Sequence, residues 1–109
     1  MPLPVEVDVL EVKRLLDAQE IVLIDCREPD EFDVAKIDGS LLMPMSRWNE
    51  IAEQLQEHAG KRIVVHCHHG GRSLRVTQWM RMNGFPETQN MTGGIDAWST
   101  RVDASVPQY

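Results

Sequence analysis

Two short apolar runs constrain the fold of this chain most: Ile21–Asp25 (IVLID) and Arg62–His66 (RIVVH). Neither alternates apolar with polar residues, and both are rich in β-branched side chains. Continuous runs of this kind mark strands buried on both faces, as in a parallel sheet. A parallel pair needs a crossover connection, usually a helix. The segments between and after the runs carry helical periodicity, so the chain reads as α/β with a largely parallel sheet. At 109 residues it has room for one domain, 1–109.

The remaining elements follow from local signals. Asp8 is placed to cap a helix over Val9–Ala18, with Glu11 completing a capping box and Val9, Val12 and Leu16 on one face. Glu28–Ala35 suits a short helix with Pro29 in its first turn. Leu41–Met43 reads as a brief strand ended by Pro44. Ser46 is a candidate cap for a helix running to Glu57, with Trp48, Ile51 and Leu55 inward. Ser73–Asn83 reads as a helix with Val76, Trp79 and Met80 inward, stopped by Gly84 and Pro86. Gln89–Thr92 forms a last strand, and Gly93-Gly94 leads into a short helix at Ile95–Ser99. Trp79, Trp98 and the six methionines read as core, and residues 102–109 as a surface tail.

The chemistry concentrates where the second apolar run ends. Cys67 follows His66, then come His68, His69, Gly70, Gly71 and Arg72, and then Ser73 opens a helix. In open parallel sheets, ligands sit beyond the carboxyl ends of the strands. A cysteine attacks as thiolate, but a free thiol is mostly protonated at neutral pH. A helix N-terminus offers about half a positive charge and unpaired N–H groups. Arg72 adds a permanent cation. Gly70 and Gly71 allow the unusual dihedrals of an anion nest. Cys67 therefore reads as an activated nucleophile. His68 and His69 form the loop rim, and Ser73 is the expected helix cap. Cys26, at the end of the first run, reads as packing. An oxidised Cys26–Cys67 pairing is open if the two Cα atoms lie within about 7 Å.

No metal is expected. His66, Cys67, His68 and His69 are consecutive and converge poorly on one tetrahedral ion. His66 reads as packed within its strand and His58 as solvated. The net charge of −6 excludes bulk binding to nucleic acid or an anionic membrane surface. No apolar stretch reaches the length of a membrane span. The first residues lack the pattern of a signal peptide, and two cysteines are too few for a disulfide framework. A cytoplasmic location is expected.

The segment IVVHCHHGGRSLRVTQWMRMNGFPETQNMTGGIDAW resembles the C-terminal half of a single-domain rhodanese, a sulfurtransferase. Upstream, IDCREPDEF and KIDGSLLMPMS resemble two further blocks of that family, so the likeness runs from about residue 8 to 98. The second block departs from the usual pattern at Lys36 and Asp38. The resemblance implies a central five-stranded, mainly parallel sheet with helices on both faces. It implies a sulfane sulfur accepted by Cys67 from a small anionic donor such as thiosulfate. That sulfur passes to cyanide or to a thiol such as thioredoxin or another protein of a sulfur relay. No cofactor is implied, and a monomer or weak dimer is expected. Arg72 would hold the loop and attract the donor, while the amides from His68 to Ser73 stabilise thiolate and persulfide. Asp25 and Arg27 would brace the site or form an ion pair. Two rival readings remain at this point. One is a non-catalytic rhodanese-like binding module. The other is a cysteine-based phosphatase or arsenate reductase, whose Cys-x5-Arg loop is one residue longer than Cys67-x4-Arg72.

Overall fold

The computed structural model describes residues 3–109. It contains five strands: β1 (Glu6–Val7), β2 (Val22–Asp25), β3 (Ser40–Leu42), β4 (Ile63–His66) and β5 (Thr88–Met91). They form one sheet in the order β1-β5-β4-β2-β3, and every pairing is parallel. The helices are α1 (Val9–Asp17), α2 (Pro29–Val34), α3 (Trp48–Ile51), α4 (Gly71–Met82) and α5 (Gly94–Arg101). Among the described residues, no helix is long and apolar enough to cross a membrane.

The period-two alternation of the strands divides the core into two layers. Val7, Leu23, Val64 and Met91 meet α1 and α5 through Val9, Val12, Ile95 and Trp98. Ile24, Ile63 and Val65 turn the other way, onto Ile51, Leu55, Val76 and Met80. Both apolar runs are thus buried on both faces, as their composition demands, and each fully buried aliphatic side chain contributes about 1.5–3 kcal/mol. After β2 the chain steps outward to β3. After β4 it steps the opposite way, to β5. The order therefore reverses between β2 and β4, and in sheets of this type the crevice forms at such a reversal, beyond the strand ends.

Several local expectations are corrected. Asp8 occupies the cap position of α1 but makes no capping bond; its carboxylate takes the Arg101 guanidinium at 2.7 Å. Glu11 pairs with Arg14, so no capping box forms there, and Leu15 rather than Leu16 joins the fully buried face. The capping box lies instead at α2, between Glu28 and Glu31. The single helix expected from Ser46 to Glu57 is broken. A 3-10 turn over Met45–Arg47 precedes α3, and a 3-10 stretch over Ala52–His58 follows it. Ser46 donates its hydroxyl to Glu28 and caps nothing. Trp79 is 39% exposed, not core; it meets Trp48 edge to face, and Thr77 takes the buried position. Met82 is 86% exposed, unlike the core methionines Met43, Met80 and Met91; Met45 is partly buried, and Met1 lies outside the described residues. The helix expected at Ile95–Ser99 extends from Gly94 to Arg101. β1 is not legible as a strand in the sequence, being two residues long. The tail runs along the surface but is anchored: Val106 is buried, and Tyr109 reaches the strand ends of the sheet.

Candidate active site

Cys67 leaves β4 at the reversal point and is 1% exposed. Its Sγ accepts hydrogen bonds from the Gly70 amide at 3.1 Å, the Ser73 amide at 3.4 Å and the Ser73 hydroxyl at 3.3 Å. The cup forms because Gly70 adopts φ +110°, a left-handed conformation that turns the chain into α4 at once. The helix consequently begins at Gly71. Gly70 is its cap, and Arg72 and Ser73 lie in its first turn rather than before it. Ser73, expected as the cap, points its hydroxyl inward to Sγ and to Asn90. Of the amides between His68 and Ser73, those of Gly70 and Ser73 bond to the sulfur.

These donors act on a thiol that also faces Cys26. The Cys26 side chain, then the Ser73 hydroxyl and the Ser73 and Gly70 amides, pull Cys67 down to about 4, against the opposing cost of burial. Hydrogen bonds to the charged form lower an acid's pKa in this way. Cys26 moves in the opposite direction. Its hydrogen bond to Cys67 and its burial push it up, so it remains a protonated thiol. Both cysteines are free.

Arg72 does not present a bare cation to the cup. Its Nη1 and Nη2 donate to the two carboxylate oxygens of Glu31 at 2.7 and 2.8 Å. This fork geometry is the strongest form of such a pair, and the Arg72 bond holds the Glu31 carboxyl down to about 2. The clasp ties the first turn of α4 to α2. Asp25 and Arg27 form a fully buried ion pair, with Arg27 Nη2 2.6 Å from Asp25 Oδ2 and Nε 2.9 Å from Oδ1. Arg27 also donates to the Ala35 carbonyl and to the Tyr109 hydroxyl. That hydroxyl donates in turn to Glu31 at 2.7 Å. The two ion pairs are thereby joined into one network beside the cup.

His66 is wholly buried, and burial pushes its pKa down, so it is neutral. Its Nδ1 lies 3.2 Å from the Cys67 carbonyl. His68 is sandwiched between His69 and Tyr109, with ring centroids 3.9 and 4.0 Å apart. His68, His69 and Asp96 bring ligand atoms within 4.8 Å of one another. The two imidazoles are stacked with planes only 28° apart, so their in-plane lone pairs do not converge on one ion.

Four supporting residues escape sequence reasoning. Asn90 accepts from Ser73, and its amide donates to the Gly70 carbonyl at 3.1 Å and to Glu6 at 3.0 Å. Glu31 and Tyr109 form the clasp just described. Gly94 lets α5 approach the loop. A Cβ there would lie 2.4 Å from the His68 carbonyl oxygen and 2.5 Å from that of Cys67. The approach allows the Ile95 amide to donate to the Cys67 carbonyl at 2.9 Å and the Asp96 amide to the His68 carbonyl at 3.1 Å. Only Gly93-Gly94 carries a signal in the sequence, and that signal is a turn.

Comparison with known proteins adds to this geometry. Residues 8–101 match the rhodanese-like domain. Over 92 residues the chain is 38% identical to the chloroplastic rhodanese-like/PpiC domain-containing protein 12 of Arabidopsis thaliana, across 83% of this chain and 31% of that protein. It is 34% identical over 98 residues to a tRNA uridine(34) hydroxylase of Salmonella newport, across 86% of this chain and 28% of that protein. The chain thus spans less than a third of the length of these curated relatives. Among solved structures, a thiosulfate sulfurtransferase from Pseudomonas aeruginosa superimposes with a TM-score of 0.76 at 28% identity, covering 87% of this chain and 18% of that one.

Proposed function

This chain belongs to the rhodanese-like family, and we propose that it is a sulfurtransferase that carries a sulfane sulfur on Cys67. The observation that carries the proposal is the Cys67 sulfur itself, buried and met by three donors from Gly70 and Ser73. Such a cup stabilises a thiolate without a general base. The thiolate attacks the outer sulfur of a donor such as thiosulfate, and sulfite departs with the bonding pair. The resulting persulfide anion stays in the same cup. An acceptor thiolate or cyanide then attacks the outer sulfur, and Cys67 leaves as thiolate. A thiol with a lowered pKa is a good leaving group in that second step. This is covalent, ping-pong catalysis by an activated nucleophile.

Access favours a small reacting atom. At 1% exposure Cys67 presents almost no surface, which suits attack on a single terminal atom. The four-residue spacing to Arg72, whose guanidinium is clasped by Glu31, suits a tetrahedral phosphoryl group poorly. The test is a single turnover with thiosulfate read by intact mass. One added sulfur atom on Cys67, dischargeable by cyanide and absent in Cys67→Ser, is the expected result. A chain that takes up no sulfur, or that instead hydrolyses an aryl phosphate, overturns the proposal. A partner retained with equal affinity by Cys67→Ser, in a chain without turnover, is the signature of a docking module. Location in the cytoplasm and a protein thiol as acceptor are parts of the same proposal.

A further inference from the structure

Cys26 and Cys67 occupy equivalent places on neighbouring strands. Asp25 is the register partner of His66, so the two cysteines form the next pair along β2 and β4. The Cys26 amide donates to the His66 carbonyl at 3.1 Å, which continues the ladder to that point. Ile24 and Cys26 share one side-chain parity, as do Val65 and Cys67, and all four lie in the same core layer. The two thiols therefore project to the same face. Adjacent strands are about 4.8 Å apart, and a disulfide requires a Cα separation of about 4.4–6.8 Å. Cys26 is fully buried. The Cys67 sulfur lies in the same core layer, on the neighbouring strand end that Cys26 faces.

From this geometry we propose that Cys26 is a resolving thiol that discharges the Cys67 persulfide internally, releasing sulfide and leaving a Cys26–Cys67 disulfide. The inference rests on Cys67 as sulfur carrier. In the step, Cys26 sulfur bonds to Cys67 Sγ, and the bond from Sγ to the outer sulfur breaks. The outer sulfur keeps the bonding pair, takes the Cys26 proton and departs as hydrosulfide. Each cysteine sulfur loses one electron, and the sulfane sulfur gains two. No outside oxidant is involved, because the sulfane sulfur is the electron acceptor. Loading of Cys67 also relieves one of the causes that hold Cys26 protonated, since the thiolate facing it becomes a neutral disulfide-type sulfur with its charge moved one atom outward, while burial remains. A thiol-based reductant must then reopen the disulfide before a second turn. The chemical class it implies is a dithiol, which reduces a disulfide by successive exchange. The complete cycle converts a sulfane donor and a dithiol into sulfide and an oxidised dithiol.

The test uses the reduced full chain, freed of reductant, with thiosulfate under anaerobic conditions and no acceptor. Intact mass and free sulfide are followed together. The expected wild-type product is a chain lighter by two hydrogens, with sulfide released stoichiometrically and a cross-linked Cys26–Cys67 peptide pair. Turnover then stops until a dithiol is added. The Cys26→Ala chain is expected to stay heavier by one sulfur atom, with sulfide at background. A wild-type chain that holds the added sulfur stably and still hands it to cyanide overturns the resolving role while leaving Cys67 as carrier. A wild-type chain showing neither mass change overturns the carrier role itself. The wild-type arm decides both questions even if the variant does not fold.

Discussion

The ends of β2 and β4 are two versions of one sequence pattern. Each is a buried apolar run, then a polar residue, then a cysteine at the same level of the sheet and facing the same core layer. Their thiols nonetheless stand in opposite protonation states. After Cys67 the chain turns through Gly70 into α4, which brings two amides and a hydroxyl to the sulfur. After Cys26 comes Arg27, whose guanidinium bonds to Asp25, the Ala35 carbonyl and Tyr109, with no bond to the Cys26 sulfur. The thiolate thus rests on the Cys26 side chain across the strands together with the donors that the turn into α4 brings. A buried cysteine without such a cup keeps its proton.

That contrast can be broken outright at Cys67. Cys67→Ser should lower sulfur transfer by about a thousandfold or more, because the nucleophile is removed. Thermal unfolding should stay close to wild type, as the change is nearly isosteric. A residual rate within tenfold of wild type would place the chemistry elsewhere. Gly94→Ala attacks the cup from below. Its Cβ meets two backbone carbonyls that cannot swing away, and φ +61° adds strain. A cost of about 1–3 kcal/mol is expected, read as a drop in the unfolding midpoint together with loss of turnover. Wild-type stability in that variant would show the approach of α5 to be adaptable.

Smaller changes sharpen the contrast. The thiolate exists above the lowered Cys67 value and is lost as pH falls through it. Alkylation by iodoacetamide should therefore hold a plateau through neutral pH and fade only toward about 4. Ser73→Ala removes a donor to the thiolate, so the midpoint of that profile should move up. Each unit of movement corresponds to about 1.4 kcal/mol of lost preference for the charged form. An unmoved midpoint would mean that the Ser73 hydroxyl serves Asn90 alone. Tyr109→Phe should give the mildest effect, about 0.5–1.5 kcal/mol at most. Its phenol is partly exposed but joins Glu31 to Arg27. A fall in KM for thiosulfate with kcat preserved is expected, because Glu31 would then hold Arg72 less firmly and leave its charge freer for the anionic donor.

Local signals carry much of the fold in the sequence, and long-range ones carry little. IVLID and RIVVH could only be strands with both faces covered, and CHHGGR could only be a special turn, because glycine pairs and apolar runs act through neighbours in sequence. β1 is invisible there because two residues give no period. Trp79 is misplaced because helical spacing assigns a face, not the group that lies opposite it. Trp48, itself only half-buried, is the cover there. Glu31, Asn90 and Tyr109 become part of the site only through contacts spanning 41, 17 and 78 positions. No periodicity or spacing rule reaches that far, and each looks like an ordinary polar surface residue until the chain closes.

Those long contacts also make the catalytic cup a mechanical junction. Glu6, in the first strand, grips the Asn90 amide, and Asn90 holds Ser73. Tyr109, in the final stretch, grips Glu31, and Glu31 holds Arg72. Both flanks of the chain are therefore tied to the first turn of α4 through polar contacts. A tag, a label or a neighbouring domain attached near either of these residues would sit one hydrogen bond away from the groups that hold the first turn of α4.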